Sequence, residues 1–216
     1  MRHQLADALF LGSSTFLLLQ TTPTPLFACC VLSLTSAFVY ALADSNNWRT
    51  NSLFLFFISG LLILIPQVNH LVLLICSILF ASYFLLPNGS TRQIPILKNL
   101  IIAGVWASLP LLFHWNIFIA FTLFLLVFTL SVVIDWGDKE NDPFQTIPKL
   151  LNTRHTLELT LVLSIVPIAF LKQNIAFAII PAVVLFQWYL TYKKHRMLRE
   201  LPLFCFALIY WFCEKV

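Results

Sequence analysis

Apolar runs long enough to cross a lipid bilayer repeat along nearly the whole chain of 216 residues. They are separated by short stretches of proline, glycine, asparagine and charged residues. A membrane-spanning helix needs about 17 to 25 apolar residues. With 60% hydrophobic and 10% charged residues, the chain has too few polar residues to cover a soluble domain. We therefore predict an all-α integral membrane protein with a single polytopic domain over residues 1–216.

The spacing of the apolar runs predicts about nine transmembrane helices. The third and ninth runs are short, so eight spans is the alternative count. The predicted spans lie near residues 5–20, 26–42, 52–65, 70–86, 97–113, 116–135, 156–171, 174–191 and 201–213.

Lysine and arginine are distributed unequally between the two sides that nine spans define. All of the 13 cations except Lys172 and Lys215 fall at the N-terminus or in the even-numbered loops. Cytoplasmic loops retain positive charge, so the N-terminus is predicted to be cytoplasmic and the C-terminus to lie outside. The net charge of +4 follows from this topology, and it gives no reason to expect a nucleic-acid partner.

Four of the nine acids fall within eight residues after the sixth predicted span, in the segment Asp135-Trp-Gly-Asp138-Lys-Glu140-Asn-Asp142. If the helix continues, Asp135, Asp138 and Asp142 share one face, because they are spaced at i, i+3 and i+7. Carboxylates that converge in this way suit Mg²⁺, which often bridges them to phosphates. The alternative is a solvated loop at the membrane surface. Pro143 disfavours helical geometry at Asp142, which would then approach a metal from a loop.

The loop after the second predicted span repeats this spacing with weaker ligands. Asp44, Asn47 and Asn51 also fall at i, i+3 and i+7. Asparagine carbonyls can bind hard cations but supply no negative charge. The alternative is a polar helix end rich in capping residues.

Two other inner loops are basic. Arg92 and Lys98 could contact a phosphate group, or they could serve only as topology signals. Residues 192–199 contain several cations and no acid, so we interpret them as a topology anchor.

The motif Asp135-x-x-Asp138-x-x-x-Asp142, followed by Thr146-Ile-Pro148, resembles the second aspartate signature of the UbiA superfamily of intramembrane prenyltransferases. The segment Ala43-Asp44-x-x-Asn47-x-x-x-Asn51 is similar to the first signature of that family, but it lacks the leading asparagine and two of three carboxylates. Lys98-Asn99 resembles the Lys-Asn pair that follows the family's fourth helix.

The resemblance implies nine helices around a central cavity open to the bilayer, with Mg²⁺ held against the diphosphate of an isoprenoid donor. Asp135 and Asp138 would be the catalytic residues. The implied metal ligands are Asp44, Asp135, Asp138 and Asp142. The implied substrate-binding residues are Arg92, Lys98, Asn47 and Asn51.

The function that the resemblance implies is Mg²⁺-dependent transfer of a prenyl group from a polyprenyl diphosphate to a small acceptor, such as an aromatic compound, in a bacterial cytoplasmic membrane. The alternative is a non-catalytic relative that binds an isoprenoid or lipid, because the first motif is degenerate. A transporter is disfavoured because the predicted spans contain almost no ionisable residues, of which Glu158 is the nearest case. A phosphatidyltransferase would need glycine and Ala-Arg elements beside its acids, and these are missing.

Overall fold

The computed structural model describes residues 2–21, 24–43, 63, 68–84, 94–113, 117–140, 145–170, 172, 174–195 and 198–215. Within these ranges, 87% of the residues are helical and no strand occurs, so the predicted all-α class is confirmed.

The described α-helices occupy the predicted apolar runs, except for one short helix that follows the acidic segment. The run near residues 52–65 lies outside the described residues, apart from residue 63. The helices are α1 (Arg2–Gln20), α2 (Leu26–Ala43), α3 (His70–Phe84), α4 (Pro95–Leu112), α5 (Ile117–Asp138), α6 (Ile147–Leu150), α7 (Thr153–Ile165), α8 (Ile180–Tyr192) and α9 (Leu201–Lys215). A 3₁₀ helix at Val166–Phe170 extends α7, and another at Ile175–Ile179 leads into α8.

Two helical segments of the described chain are long and apolar enough to cross a membrane. They are α5, with 22 residues, and Ile175–Tyr192, with 18 residues. The other apolar helices are shorter, and the count of nine transmembrane helices remains a prediction.

The helix α5 is the centre of the packing. Its buried side chains join a hydrophobic cluster that includes residues from α1, α4, α8 and α9. Phe177, Phe206 and Tyr210 are among the largest fully buried side chains of this cluster. Burial of such aromatic side chains is a large favourable contribution to the free energy of folding. The helix α5 is therefore held on several sides, which fixes the position of its polar end.

The outer helices leave large apolar side chains uncovered. Along α3, Leu71, Leu74 and Ile78 are 66%, 57% and 59% exposed. Leu26 and Leu34 on α2 are 63% and 66% exposed. Extensive exposed apolar surface is unfavourable in water and indicates a surface that binds lipid or protein. Together with the two apolar segments, this surface favours membrane association.

The helices α1 and α2 pack closely because small residues face each other. A Cβ atom on Gly12 would lie 3.1 Å from the Ser33 carbonyl oxygen and 3.1 Å from Ala37 Cβ. Thr15 Oγ1 also lies 3.0 Å from Ser36 Oγ across this interface. The absence of a side chain at Gly12 thus permits the close approach of the two backbones.

Candidate functional site

Six helix ends meet at one end of the bundle, which we call the polar end. The end of α5 contacts the beginnings of α4 and α9 through ion pairs, the beginning of α7 through a hydrogen bond, and the end of α8 through a ring contact. The beginning of α1 interacts electrostatically with the residue before α9. At the opposite end, the Asn69 amide donates to the Leu112 carbonyl at 2.8 Å, and the Phe118 and Phe170 rings are 5.2 Å apart. The helices α4, α5, α7, α8 and α9 therefore alternate in direction, as successive spans would.

The described cations are concentrated at the polar end of the bundle. Lys172 and Lys215 lie at helix ends that belong to the opposite end. The other described cations with described side chains lie at or beside helix ends of the polar end; they are Lys98, Lys139, Lys149, Arg154, Lys193, Lys194 and Arg199. Lysine and arginine residues that the sequence places in the even-numbered loops therefore lie together at one end of the folded chain.

The carboxylate of Asp135 is buried in the polar end and is paired with a lysine. Asp135 is 4% exposed and lies in the last turn of α5. Lys98, in the first turn of α4, donates from Nζ to Asp135 Oδ1 at 2.6 Å. An ionised carboxylate is costly to bury without such a partner. The sequence named both residues as candidates, and the structure brings them together across 37 positions of the chain.

The neighbouring residue on α4 contacts the preceding turn of α5. Asn99 Nδ2 donates to Ser131 Oγ at 2.9 Å, and Ser131 lies one helical turn before Asp135. Asn99 is fully buried, and its Oδ1 atom has no hydrogen-bond partner among the described residues. The Lys98-Asn99 pair therefore binds two successive turns of α5 and directs one polar atom into a buried position.

Asp138 is held by an arginine that sequence analysis assigned only to topology. Arg199 Nη2 donates to Asp138 Oδ1 at 2.6 Å, and Nη1 donates to Oδ2 at 2.7 Å. This two-pronged geometry is the strongest common arrangement of arginine and carboxylate. Asp138 is the last residue of α5, where the helix dipole disfavours negative charge, so the guanidinium offsets that cost. Arg199 is more than a topology anchor.

The helix α5 ends at Asp138, and Lys139 and Glu140 form a turn. Within the described part of this segment, the predicted helical face carries Asp135 and Asp138. The other sequence candidates lie outside the described residues; they are Asp44, Asn47, Asn51, Arg92 and Asp142. Their roles remain predictions.

The motif that follows the acids is buried beside α5. Thr146, Ile147 and Pro148 are all buried, and α6 begins directly after Thr146. Thr146 is 1% exposed, and its hydroxyl has no hydrogen-bond partner among the described residues. Proline in the first turn suits a helix start, because the amide that it lacks would have no partner there. The short helix α6 therefore fixes the chain between α5 and α7.

Two tryptophans connect α5, α7 and α8 at the polar end. The Trp136 and Trp188 rings are 4.8 Å apart. Trp136 Nε1 donates to Thr153 Oγ1 at 3.2 Å, and Trp188 Nε1 donates to Thr160 Oγ1 at 3.0 Å. Tryptophan suits such positions because its ring is apolar and its N–H is polar.

A second acidic pair lies beside Arg199, and sequence analysis missed it. Asp7, on α1, is 4% exposed. The pKa of Glu200 is raised to about 8, mainly by burial and also by the charge of Asp7, while the positive charge of Arg199 opposes both effects. Asp7 lies inside the first predicted span, which therefore contains a buried ionisable residue in addition to Glu158 of the seventh span.

The described acids suit a hard divalent cation but do not complete a site for one. Asp135 and Asp138 supply carboxylate oxygens one helical turn apart, and Asp138 remains 27% exposed at its side chain. No group of three or more histidines, cysteines, aspartates and glutamates with metal-site geometry occurs among the described residues. The remaining ligands of a Mg²⁺ ion would come from water, Asp142, the first-loop residues or substrate oxygens.

Comparison of the chain with protein-family models, curated proteins and solved structures found no match.

Proposed function

We propose that the chain is an integral membrane protein that transfers a prenyl group from a polyprenyl diphosphate to a small acceptor, with Mg²⁺ as cofactor. The observation that carries this proposal is the meeting of Lys98 and Arg199 with Asp135 and Asp138 at one end of an apolar helical bundle. Cations and hard carboxylates suit a diphosphate with its metal ions, and the apolar helices suit the lipid tail.

In the proposed reaction, the allylic carbon–oxygen bond breaks and its electron pair leaves with the diphosphate. The acceptor then bonds to the carbocation and loses a proton. Lys98 would stabilise the charge of the leaving diphosphate. Asp138 and Asp135, with Asp44 and Asp142, would hold Mg²⁺, which would add positive charge at the leaving group. Exclusion of water by the apolar helices would protect the carbocation.

The proposed arrangement in the membrane has about nine spans around a central cavity, with the N-terminus and the polar end in the cytoplasm. The alternating helix ends and the cations at the polar end support it. Single cysteines introduced at Ser90 and Glu140 in a cysteine-free background should both be labelled from the cytoplasmic side. Labelling of the two positions from opposite sides would exclude the nine-span arrangement.

The enzymatic proposal is tested by incubating purified protein in detergent with farnesyl diphosphate and measuring binding and release of diphosphate. We expect both to require Mg²⁺ and to be lost in Asp138→Asn. Glu158→Gln is the matched control, because it removes a carboxylate that is 51% exposed and pairs with Arg154 one turn away on the same helix. Unchanged Mg²⁺-dependent binding in Asp138→Asn would contradict the proposal.

The second candidate is a non-catalytic relative that binds an isoprenoid or lipid. The observation that favours it is that Asp135 and Asp138 are both already paired with cations of the chain. The same assay separates the two candidates. A binding protein would bind farnesyl diphosphate but would release no diphosphate when small aromatic acceptors are added.

A further inference from the structure

The two ion pairs at the polar end differ in how firmly they are enclosed. In the Lys98–Asp135 pair, the side chains are 20% and 6% exposed. In the Arg199–Asp138 pair, both side chains are 27% exposed. Lys98 is part of a helix, whereas Arg199 lies in the turn before α9. Solvent can therefore replace lost hydrogen bonds more readily at Arg199, which makes this pair the easier one to exchange.

Arg199 engages both oxygens of Asp138, at 2.6 Å and 2.7 Å. A divalent cation at the same carboxylate would lie close to the guanidinium, and the two positive charges would repel each other. Asp138 therefore cannot serve well as a metal ligand while Arg199 holds it in this geometry. If the guanidinium leaves Asp138, a phosphate group offers the same planar recognition by two N–H donors.

We propose that Arg199 is a diphosphate-binding residue of the polar end, and that it moves from Asp138 to the diphosphate when Asp138 becomes a metal ligand. This inference rests on the proposed function, because it requires a diphosphate and a divalent cation at this site. The proposed diphosphate site would then include a residue from the turn before α9, besides the residues of the loops that carry the sequence motifs. The proposed movement of Arg199 also gives the Asp138–Arg199 pair a role in keeping both groups in place before the donor arrives.

The test is titration of the purified protein in detergent with inorganic diphosphate, with and without Mg²⁺, and with Mg²⁺ alone. For the unmodified protein, we expect diphosphate binding that depends on Mg²⁺. Arg199→Gln should weaken Mg²⁺-dependent diphosphate binding by tenfold or more, because the guanidinium is lost. The same variant should bind Mg²⁺ alone several-fold more tightly, because Asp138 no longer has a competing cation. These opposite changes are the signature of the proposed exchange.

Arg154→Gln is the matched control, because Arg154 lies at the beginning of α7 and its side chain is 84% exposed. It should leave both affinities unchanged. Arg199→Lys should give diphosphate binding between those of the unmodified protein and Arg199→Gln, since it keeps one charge and loses the planar fork. A melting curve for each variant shows whether it is folded, and Arg199→Lys preserves the test if Arg199→Gln is not.

The outcomes separate this inference from the function on which it rests. If the unmodified protein binds no diphosphate with Mg²⁺, the proposed function fails and the inference fails with it. If the unmodified protein binds diphosphate and Arg199→Gln binds it equally well, only the inference is overturned. If Arg199→Gln weakens Mg²⁺ and diphosphate binding alike, Arg199 acts only by supporting the fold, and the inference is again overturned.

Discussion

Removal of the Lys98 ammonium group should destabilise the protein through the carboxylate that it leaves behind. Lys98 Nζ lies 2.6 Å from Asp135 Oδ1, and the Asp135 side chain is 6% exposed. At this distance, and at an effective dielectric constant of about 20, the gross attraction is about 6 kcal/mol. Desolvation of the two groups opposes most of it. Breaking a buried pair by removing one partner typically costs about 3 to 5 kcal/mol.

We therefore expect Lys98→Met to lower the free energy of unfolding by about 3 kcal/mol, the low end of that range, because Lys98 is itself 20% exposed. The double variant Lys98→Met/Asp135→Leu should recover most of this loss, because it also removes the buried carboxylate that has lost the Lys98 ammonium group. The measurement is equilibrium unfolding in detergent, followed by circular dichroism. Lys172→Met is the control, since it removes the same group from an exposed lysine at the opposite end.

The double variant decides between two explanations. The aliphatic stem of a lysine can also stabilise a protein by packing, and loss of such packing at Lys98 would destabilise the protein without any electrostatic effect. Methionine retains most of the stem, so the packing explanation predicts a small loss. If the double variant is as unstable as Lys98→Met, the cost does not come from the buried carboxylate of Asp135 and the argument is refuted.

Two further perturbations test the packing and the titration of the polar end. Gly137→Ala would bring a Cβ atom into a clash with Thr191 Cγ2, so it should destabilise the protein by about 1 to 3 kcal/mol. Thr191→Ser should rescue the variant by removing that methyl group, and thermal melts of the single and double variants measure both effects. Gly104→Ala is the control, because its Cβ would meet only Leu79 Cδ1 at 3.6 Å. At Glu200, the folded protein binds a proton up to about pH 8, whereas the unfolded chain loses it near pH 4.5, so the free energy of unfolding should decrease as pH rises between these values. Glu200→Gln should flatten that decrease in denaturant titrations at several pH values, and an unchanged slope would show that another group causes it.

The positions of the helices could be predicted from the sequence because apolar runs, charge and proline mark their ends. The span predicted near residues 97–113 corresponds to the helix Pro95–Leu112, and the span predicted near 116–135 corresponds to Ile117–Asp138. These signals are local, so they require no knowledge of the packing. The extension of the acidic helix towards Asp142 could not be settled in this way, because Pro143 and the i, i+7 spacing favour different geometries at that residue.

The partners of the acids could not be predicted, because they depend on which helix ends meet. Arg199 is 61 positions from Asp138 and lies in a stretch with several other cations, so nothing in the sequence distinguishes it. The sequence makes Lys98 a candidate phosphate contact or a topology signal, but its pairing with Asp135 follows from the packing of α4 on α5. Asp7 was overlooked because a single acid near the start of an apolar run resembles an interfacial residue.

The charges of the polar end bear directly on its proposed dependence on a metal ion. Lys98 and Arg199 balance Asp135 and Asp138, so these four paired side chains sum to zero charge. A diphosphate that enters this arrangement adds several negative charges, and the cations nearest to the acids are already engaged. The electrostatic cost must be met by additional cations, which Mg²⁺ supplies more compactly than a lysine side chain can. Release of Arg199 alone would leave Asp138 without a partner beside a second anion. For this reason, we expect movement of Arg199 and binding of Mg²⁺ to occur together, and diphosphate binding without Mg²⁺ to be weak.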